Sequence, residues 1–505
     1  MDLLSTKRAS DALSKGADDK RLEFDRDFDR ILFSAPVRRL ADKTQVFPME
    51  TNDSVRTRLT HSHEVSNLCR SLALQILRSD GDKQPFGYNT DLLETVPVIS
   101  AAVGLAHDLG NPPFGHQGET AVRDWFENKR KHLFEVDGDE LNDAFKRDFL
   151  DWEGNAQAFR LVTKLQVSKG RCGLNLTYAT LASLMKYTVS SNETTKDAGQ
   201  HPAKKKFGYF QDDKEFAQAI LQEVGLEAGK RHPIAYVMEA CDDIAYSSID
   251  VEDAVSKELV SLNDVLVMLQ KQEDDSSQSV FKRVEEKLDA LRADGRSIAD
   301  IKDIGLQYFR SFAIEEMVIA ARVKILESET EIRNGIFNGN LVDKSKAGQM
   351  CQALKDFALE NAFQSPKVTA LELRGANMLH KLMNYFWRGI TEASLAKKTS
   401  LCRALEKRDI DVARLRKSLA LSEKPTMFGK YAFHRISTNY RANFEDAVLR
   451  DPSPKHFRYQ QLLLLTDMVS GMTEDFVEAT FNELRNLDYN HAHGSEAEKS
   501  AKEKS

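Results

Sequence analysis

Apolar residues recur along this chain with the period of a helix far more often than with that of a strand. EVSNLCRSLALQILR sets Val65, Leu68, Leu72 and Ile76 on one stripe at i, i+3, i+7 and i+11, the mark of an amphipathic helix. VPVISAAVGLAHDLG is apolar on nearly every side. That predicts a buried helix, with Pro97 in its first turn and Gly110 at its end. NAQAFRLVTKL, PIAYVMEACDDIAYSSIDVEDAVSKEL, FKRVEEKLDALRA, EEMVIAARVKILE and YQQLLLLTDMVSGMTEDFVEATFNEL read the same way. Alternating patterns are rare; LVTKLQVSKG and RCGLNLTYA are the stretches that fit one small β-hairpin. No internal repeat is visible. The expected class is all-α with at most that hairpin.

Polar stretches divide this pattern. SSNETTKDAGQHPAKKKFGYFQDD and DPSPKHFR read as loops, and QKQEDDSSQSVFKR as a soft boundary. The organisation expected is a mobile arm over 1–22, a core over 23–260 that holds most of the chemistry, a helical lobe over 261–493 packed on it, and a disordered, solvated tail over 494–505. With 505 residues, 41% of them hydrophobic and 30% charged, a large core is available and wholesale disorder is excluded. The balance of 71 basic and 78 acidic side chains, −7 in total, gives no global attraction to nucleic acid or to an anionic membrane. No apolar run approaches the ~18–20 residues of a membrane span, and MDLLSTKRAS lacks the apolar core of a secretory signal. The five cysteines never fall in a CxxC spacing, which argues against a disulfide framework and fits a reducing cytoplasm.

Chemistry concentrates in HDLGNPPFGHQGE, residues 107–119. A His-Asp dipeptide is expected about once by chance in a chain of this composition, so context decides. Here the pair ends a buried helix, where both side chains must be paired or hold a cation. His61, in RTRLTHSHEV, starts the preceding helix, and a helical hairpin brings that start near His107. Asp242, beside Asp243, lies within an apolar helix where two carboxylates are costly without a cationic partner. Each residue alone has an ordinary reading as a cap, a surface pair or a satisfied core group. Together His61, His107, Asp108 and Asp242 offer two nitrogen and two oxygen donors suited to Mn²⁺, Mg²⁺ or another first-row metal ion. His63, two residues on from His61, points elsewhere on a helix, and Cys241 reads as a small buried residue.

The order H…HD…D resembles the HD-domain metal-dependent phosphohydrolases. More closely, FDRDFDRILFSAPVRRLADKTQVFP, VRTRLTHSHEV, HDLGNPPFGHQGE, WEGNAQAFRL, LMKY and EACDDIAYSSIDVEDA, in that order, resemble the deoxyguanosinetriphosphate triphosphohydrolase family over about residues 24–260. LLLLTDMVSGMTEDF resembles its C-terminal helix. The resemblance implies an HD-type helical fold and hydrolysis of a dNTP, dGTP preferred, to deoxynucleoside and inorganic triphosphate. It implies His61, His107, Asp108 and Asp242 as metal ligands, and His116 with Glu119 as the catalytic pair. The i, i+3 spacing of that pair where a helix begins lets a carboxylate orient an imidazole, which acts as acid/base or as nucleophile.

A triphosphate carries up to about four negative charges and needs cationic clamps. Candidates are Arg56 and Arg58, which have structural salt bridges to Asp53 or Glu64 as their alternative, together with Lys186 and Lys206; Asn155 is a neutral contact. Tyr187, in LMKY, belongs to the same group. Asp242, Tyr246 and Asp250 share one helix face at i, i+4 and i+8. The resemblance implies Tyr246 stacked on the deoxyribose, with Asp250 and Gln45 on its 3′-hydroxyl; the spacing alone fits a core tyrosine and an exposed aspartate at a helix end equally well. The resemblance also implies a homo-oligomer, commonly a hexamer in that family and at least a dimer here. FGKYAFHRISTNYRANF, with Arg435, Tyr440 and Arg441, has three readings beyond core and loop: a neighbouring active site, a regulatory nucleotide, or single-stranded DNA held by stacking and charge. The alternatives to the triphosphohydrolase are an HD nucleotidase or phosphodiesterase cutting elsewhere, and a nucleotide or single-strand sensor without turnover.

Overall fold

A computed structural model describes residues 2–10, 18–45, 56–79, 85–86, 91–166, 172–195, 201–364, 366–397 and 399–502. The fold is all-α, and among the described residues its sheet is a single antiparallel pair of two-residue strands. The chain forms two units, Met1–Leu109 with Asn175–Leu371, and Gly110–Leu174 with Glu372–Ser505. The sequence pattern suggests one boundary near 260; the chain instead passes between units at 109/110, 174/175 and 371/372.

The first unit is built around the helix Leu92–Ala106, whose residues are nearly all buried. It packs on the helices Glu23–Leu32, Arg58–Leu77, Tyr178–Leu184 and Pro233–Ser256. It begins earlier than expected because the Asp91 carbonyl accepts from the backbone N–H groups of Glu94 and Thr95 and from the Thr95 hydroxyl. Pro97 therefore lies in the second turn, inside the helix. The helix ends at Ala106, so His107 to Gly110 form a turn beyond it.

The helix Arg58–Leu77 starts at a reciprocal cap. The Thr57 hydroxyl accepts from Thr60 N–H and the Thr60 hydroxyl accepts from Thr57 N–H, a capping box. This fixes His61 in the first turn. Val65, Cys69, Leu72 and Ile76 form its buried stripe, and Leu68 falls at the edge, half-buried. The crossing with Leu92–Ala106 is as close as backbones allow. A Cβ on Gly104 would stand 2.8 Å from Ser66 Cα and 3.1 Å from Cys69 Sγ. The Ser66 hydroxyl donates to Ala101 O across the same contact (2.8 Å).

The helix Pro233–Ser256 opens on His232, which accepts from Ile234 N–H at Nδ1 and donates from Nε2 to Leu3 O (2.8 Å). Burial lowers its pKa to about 4, because no anion compensates the charged ring. That contact ties down residues 2–10, within the stretch that the sequence suggests is an arm. Leu3 is buried, Arg8 pairs with Glu23 and Asp27, and Tyr178 N–H donates to Lys7 O.

In the second unit, Gly154–Arg160 runs straight into a π-helical turn, Leu161–Leu165. The hairpin expected from LVTKLQVSKG and RCGLNLTYA is therefore absent over Leu161–Leu165; residues 167–171 lie outside the described residues. Leu161, Val162, Thr163 and Leu165 are all buried, so the apolar run is a helix interior rather than one face of a strand. The hairpin pairs Glu135–Val136 with Asp139–Glu140. Its turn is Asp137-Gly138, both at positive φ (57° and 84°), the two-residue turn that matches strand twist. The late apolar run forms two helices, Pro454–Ser470 and Glu474–Lys502, parted at Gly471. The second continues into the stretch that reads as a tail. Between Gly154–Arg160 and Pro454–Ser470, Arg160 donates twice to buried Asp467 (2.8 and 3.0 Å), which also accepts from Gln157.

Two outcomes follow from this packing. Gly104→Ala inserts a methyl against the Ser66 backbone and should cost about 1–3 kcal/mol; a fall in the thermal midpoint checks it, and an unchanged midpoint would show room at the crossing. His232 stays neutral in the native state until about pH 4 but protonates near 6.5 when unfolded. Its contribution is complete above pH 6.5 and is lost as pH falls towards 4, on the order of 3 kcal/mol. His232→Asn keeps a helix cap and removes the titration, so its midpoint should fall less steeply over that range than the wild type's.

Candidate functional site

The close crossing at Gly104 sets the first turn of one helix beside the C-terminal end of the other. His61 and His107 meet there, ring centroids 5.4 Å apart. One ligand atom from each of His61, His107 and Asp108 lies within 4.8 Å of the other two. Asp242 joins from the middle of Pro233–Ser256: its Oδ1 is 3.2 Å from His61 Nε2 and 3.4 Å from His107 Nε2. All four proposed ligands are thus brought together in the first unit.

The tautomer of His107 is set by its own helix. Nδ1 lies 2.7 Å from Gly104 O, a carbonyl that can only accept, so Nδ1 carries the hydrogen. Nε2 is left buried with no hydrogen bond, and faces Asp108 Oδ1 at 3.5 Å and Asp242 Oδ1 at 3.4 Å. A lone pair aimed at two carboxylates requires a cation between them, a proton or a metal ion. Burial opposes a charged ring, yet Asp108 and Asp242 raise His107 to about 9. Burial likewise opposes both carboxylates. Arg58 and the two imidazoles nonetheless hold Asp108 below its usual value, and the imidazoles hold Asp242 well below. An N₂O₂ donor set with one orphaned buried nitrogen fits a divalent ion.

The cationic candidates have distinct partners. Arg58 Nη1 is 2.5 Å from Asp108 Oδ2. Arg56 is spent on Glu64 (3.1 Å), Glu252 (2.5 Å) and Asp253, so it makes the expected salt bridge to Glu64, while Asp53 lies outside the described residues. Lys186 Nζ lies 3.4 Å from Glu239 Oε1. Tyr187 is buried with the Arg231 guanidinium 5.9 Å from its ring centre. A Cβ on Gly208 would meet Tyr187 O at 1.8 Å, so only glycine lets the segment carrying half-buried Lys206 lie against Lys186–Tyr187.

Farther along the Asp242 helix, the Tyr246 ring stacks on Phe363, centroids 5.8 Å apart and planes 10° from parallel. Asp250 is fully buried with neither oxygen hydrogen-bonded. Burial, with Asp253 and Asp242 nearby, pushes its pKa well up. Gln45 is half-buried with an unbonded Oε1. His63 is exposed and Cys241 buried.

His116, Glu119 and Asn155 belong to the second unit. Phe114, in the left-handed region (φ 65°), and Gly115 (φ 53°) turn the chain into the helix Gly115–Asn128. For a bulky residue this conformation is strained, and two contacts hold it. Phe114 N–H donates to buried Glu474 (3.2 Å), and its ring fills the space a Cβ on Gly375 would take. The His116 side chain is 92% exposed, its Nδ1 3.7 Å from Glu119 Oε2. The pair is therefore adjacent without a hydrogen bond. Glu119 is itself fixed, accepting from Gly154 N–H (3.1 Å) and Arg123 (3.2 Å). Asn155 donates to Glu153 (3.3 Å).

Sequence reasoning missed Arg231 and Glu239, which surround Lys186, and Glu474, which anchors Phe114. Glu239 had a signal: like Asp242, it is a charge in an apolar helix.

An HD domain family model matches residues 58–169, the segment that holds three of the four proposed metal ligands. A protein of Listeria innocua named deoxyguanosinetriphosphate triphosphohydrolase-like is 32% identical, covering 93% of this chain and 95% of its own. One of Pseudomonas aeruginosa with the same name is 34% identical over 95% and 97%. The deoxyguanosinetriphosphate triphosphohydrolase of Serratia proteamaculans is 31% identical over 92% and 93%. No helix among the described residues is long and apolar enough to cross a membrane. Similarity across nearly the whole length, with the His-His-Asp cluster in place, makes this chain a member of the HD-domain deoxyguanosinetriphosphate triphosphohydrolase family.

Proposed function

We propose that this protein is a metal-dependent triphosphohydrolase that converts a dNTP, dGTP preferred, to deoxynucleoside and inorganic triphosphate. The observation that supports a metal ion is the convergence of His61, His107 and Asp108 ligand atoms within 4.8 Å, with Asp242 Oδ1 3.4 Å from a buried His107 Nε2 that has no hydrogen bond. His61, His107, Asp108 and Asp242 would hold the ion. A bound Mn²⁺, Mg²⁺ or similar ion supplies Lewis acidity at the α-phosphate.

The remaining roles fall to the chain's own groups. Lys186, Lys206 and Arg58 offset triphosphate charge, Tyr187 packs beside Lys186, and Asn155 adds a neutral contact. Arg56, saturated by three carboxylates, braces the end of the Asp242 helix. Tyr246 and Gln45 meet the sugar. Asp250, with two unbonded oxygens in a buried place, is suited to a ligand hydroxyl. His116 moves the proton or attacks phosphorus, with Glu119 as its orienting carboxylate. Family resemblance supports these roles, together with a cytoplasmic homo-oligomer and a response to a second nucleotide or single-stranded DNA.

Asp108→Ala should abolish both divalent-ion binding and triphosphate release, and Asp108→Asn should weaken both while keeping the fold. Calorimetric metal titration and chromatography of products check this; turnover with normal metal content would overturn the ligand assignment. Across all dNTPs and NTPs with several metals, intact inorganic triphosphate is the expected product, with dGTP turned over fastest. Release of orthophosphate or pyrophosphate would move the protein to the nucleotidase class, and binding without turnover to the sensors.

A further inference from the structure

Lys186 is held by a small network that the phosphate-binding role alone does not require. Arg231, one of the largest fully buried side chains, stands just before the helix Pro233–Ser256. Its Nε donates to Lys186 O (2.7 Å) and its Nη1 to Glu239 Oε2 (2.7 Å). The other Glu239 oxygen lies 3.4 Å from Lys186 Nζ. One guanidinium thus fixes the Lys186 backbone and, through Glu239, its ammonium. Arg231 is itself locked: its N–H donates to Gly335 O (3.1 Å), and the rings of Tyr187 and Tyr236 lie 5.9 and 5.6 Å from it.

Arg231 and Lys186 share the single carboxylate of Glu239, and burying two cations on one anion is costly unless further negative charge lies nearby. The ammonium sits at the open end: side-chain exposure is 1% for Arg231, 11% for Glu239 and 22% for Lys186. At 2.7 Å Glu239 bonds fully to Arg231, whereas its 3.4 Å approach to Lys186 leaves ammonium hydrogens available to another anion. Glu239 is also one helical turn before Asp242 and Asp243, so it holds the ammonium on the part of the helix that carries the metal cluster. Glu239, Asp242 and Asp243 all act to keep Lys186 charged, against its burial.

We propose that Glu239 and Arg231 are positioning residues that hold the Lys186 ammonium in place for the substrate's phosphates. This rests on the reading of Lys186 as a phosphate contact. The test uses full-length, Mn²⁺-loaded protein, with inorganic tripolyphosphate and deoxyguanosine as separate inhibitors of dGTP turnover. Glu239→Gln should raise the inhibition constant of tripolyphosphate at least tenfold and leave that of deoxyguanosine within twofold. Because it also removes the charged partner of buried Arg231, its thermal midpoint should fall, and inhibition is measured well below that midpoint. Glu239→Asp, which keeps the charge but withdraws it, should give an intermediate loss. In a Lys186→Met background the effect of Glu239→Gln on tripolyphosphate should vanish. A Glu239→Gln effect of equal size in that background, or an equal shift for deoxyguanosine, overturns the proposal. Should Lys186→Met alone leave tripolyphosphate inhibition unchanged, the reading of Lys186 fails, and with it the proposal; an inactive wild type overturns the proposed function itself.

Discussion

A nitrogen lone pair pressed against two carboxylates is the constraint around which the first unit is arranged. His107 cannot rotate out of it, because Gly104 O holds Nδ1. Asp242 cannot withdraw, because it belongs to a long helix buried over most of its length. Only a positive charge relieves the arrangement, and the surroundings are organised to receive one. A glycine at the helix crossing permits the approach, a reciprocal threonine cap fixes the turn that presents His61, and Arg58 steadies the outer oxygen of Asp108. Backbone packing therefore does the work of preorganisation.

The same logic explains why this cluster was legible in the sequence while its supports were not. Histidines and aspartates placed in apolar helices advertise themselves through the cost of burying them. His107, Asp108 and Asp242 are visible on that ground, whereas His61 is reached through the expected helical hairpin and Asp250 through its spacing from Asp242 and the family resemblance. Arg231 carries no such mark, since it precedes the helix in a short polar stretch and its burial comes entirely from the tertiary fold. Glu474 is hidden for a related reason: an acidic residue in a helix's first turn looks like an ordinary dipole partner, and its bond to Phe114 joins residues 360 positions apart.

Secondary structure follows the same division. Long periodic runs read correctly as helices, because a buried stripe needs only local spacing. The hairpin was misplaced because the alternation over 161–178 competes with continuation of a helix already begun at Gly154, whereas the true hairpin has strands too short to alternate. Its evidence was the turn itself, Asp137-Gly138. The two units were not readable at all, since polar linkers mark neither 109/110 nor 371/372.

The anchoring of Phe114 by Glu474 has a consequence for how the protein can be divided. The segment 58–169 carries the recognisable signature, yet the bend that launches His116 is secured from the far end of the chain. An isolated signature segment would retain His61, His107, Asp108, His116 and Glu119 while losing, besides Asp242, the brace that keeps a bulky side chain in left-handed backbone. Inheritance of the motif and inheritance of its geometry are thus separable, and the C-terminal helices belong to the second.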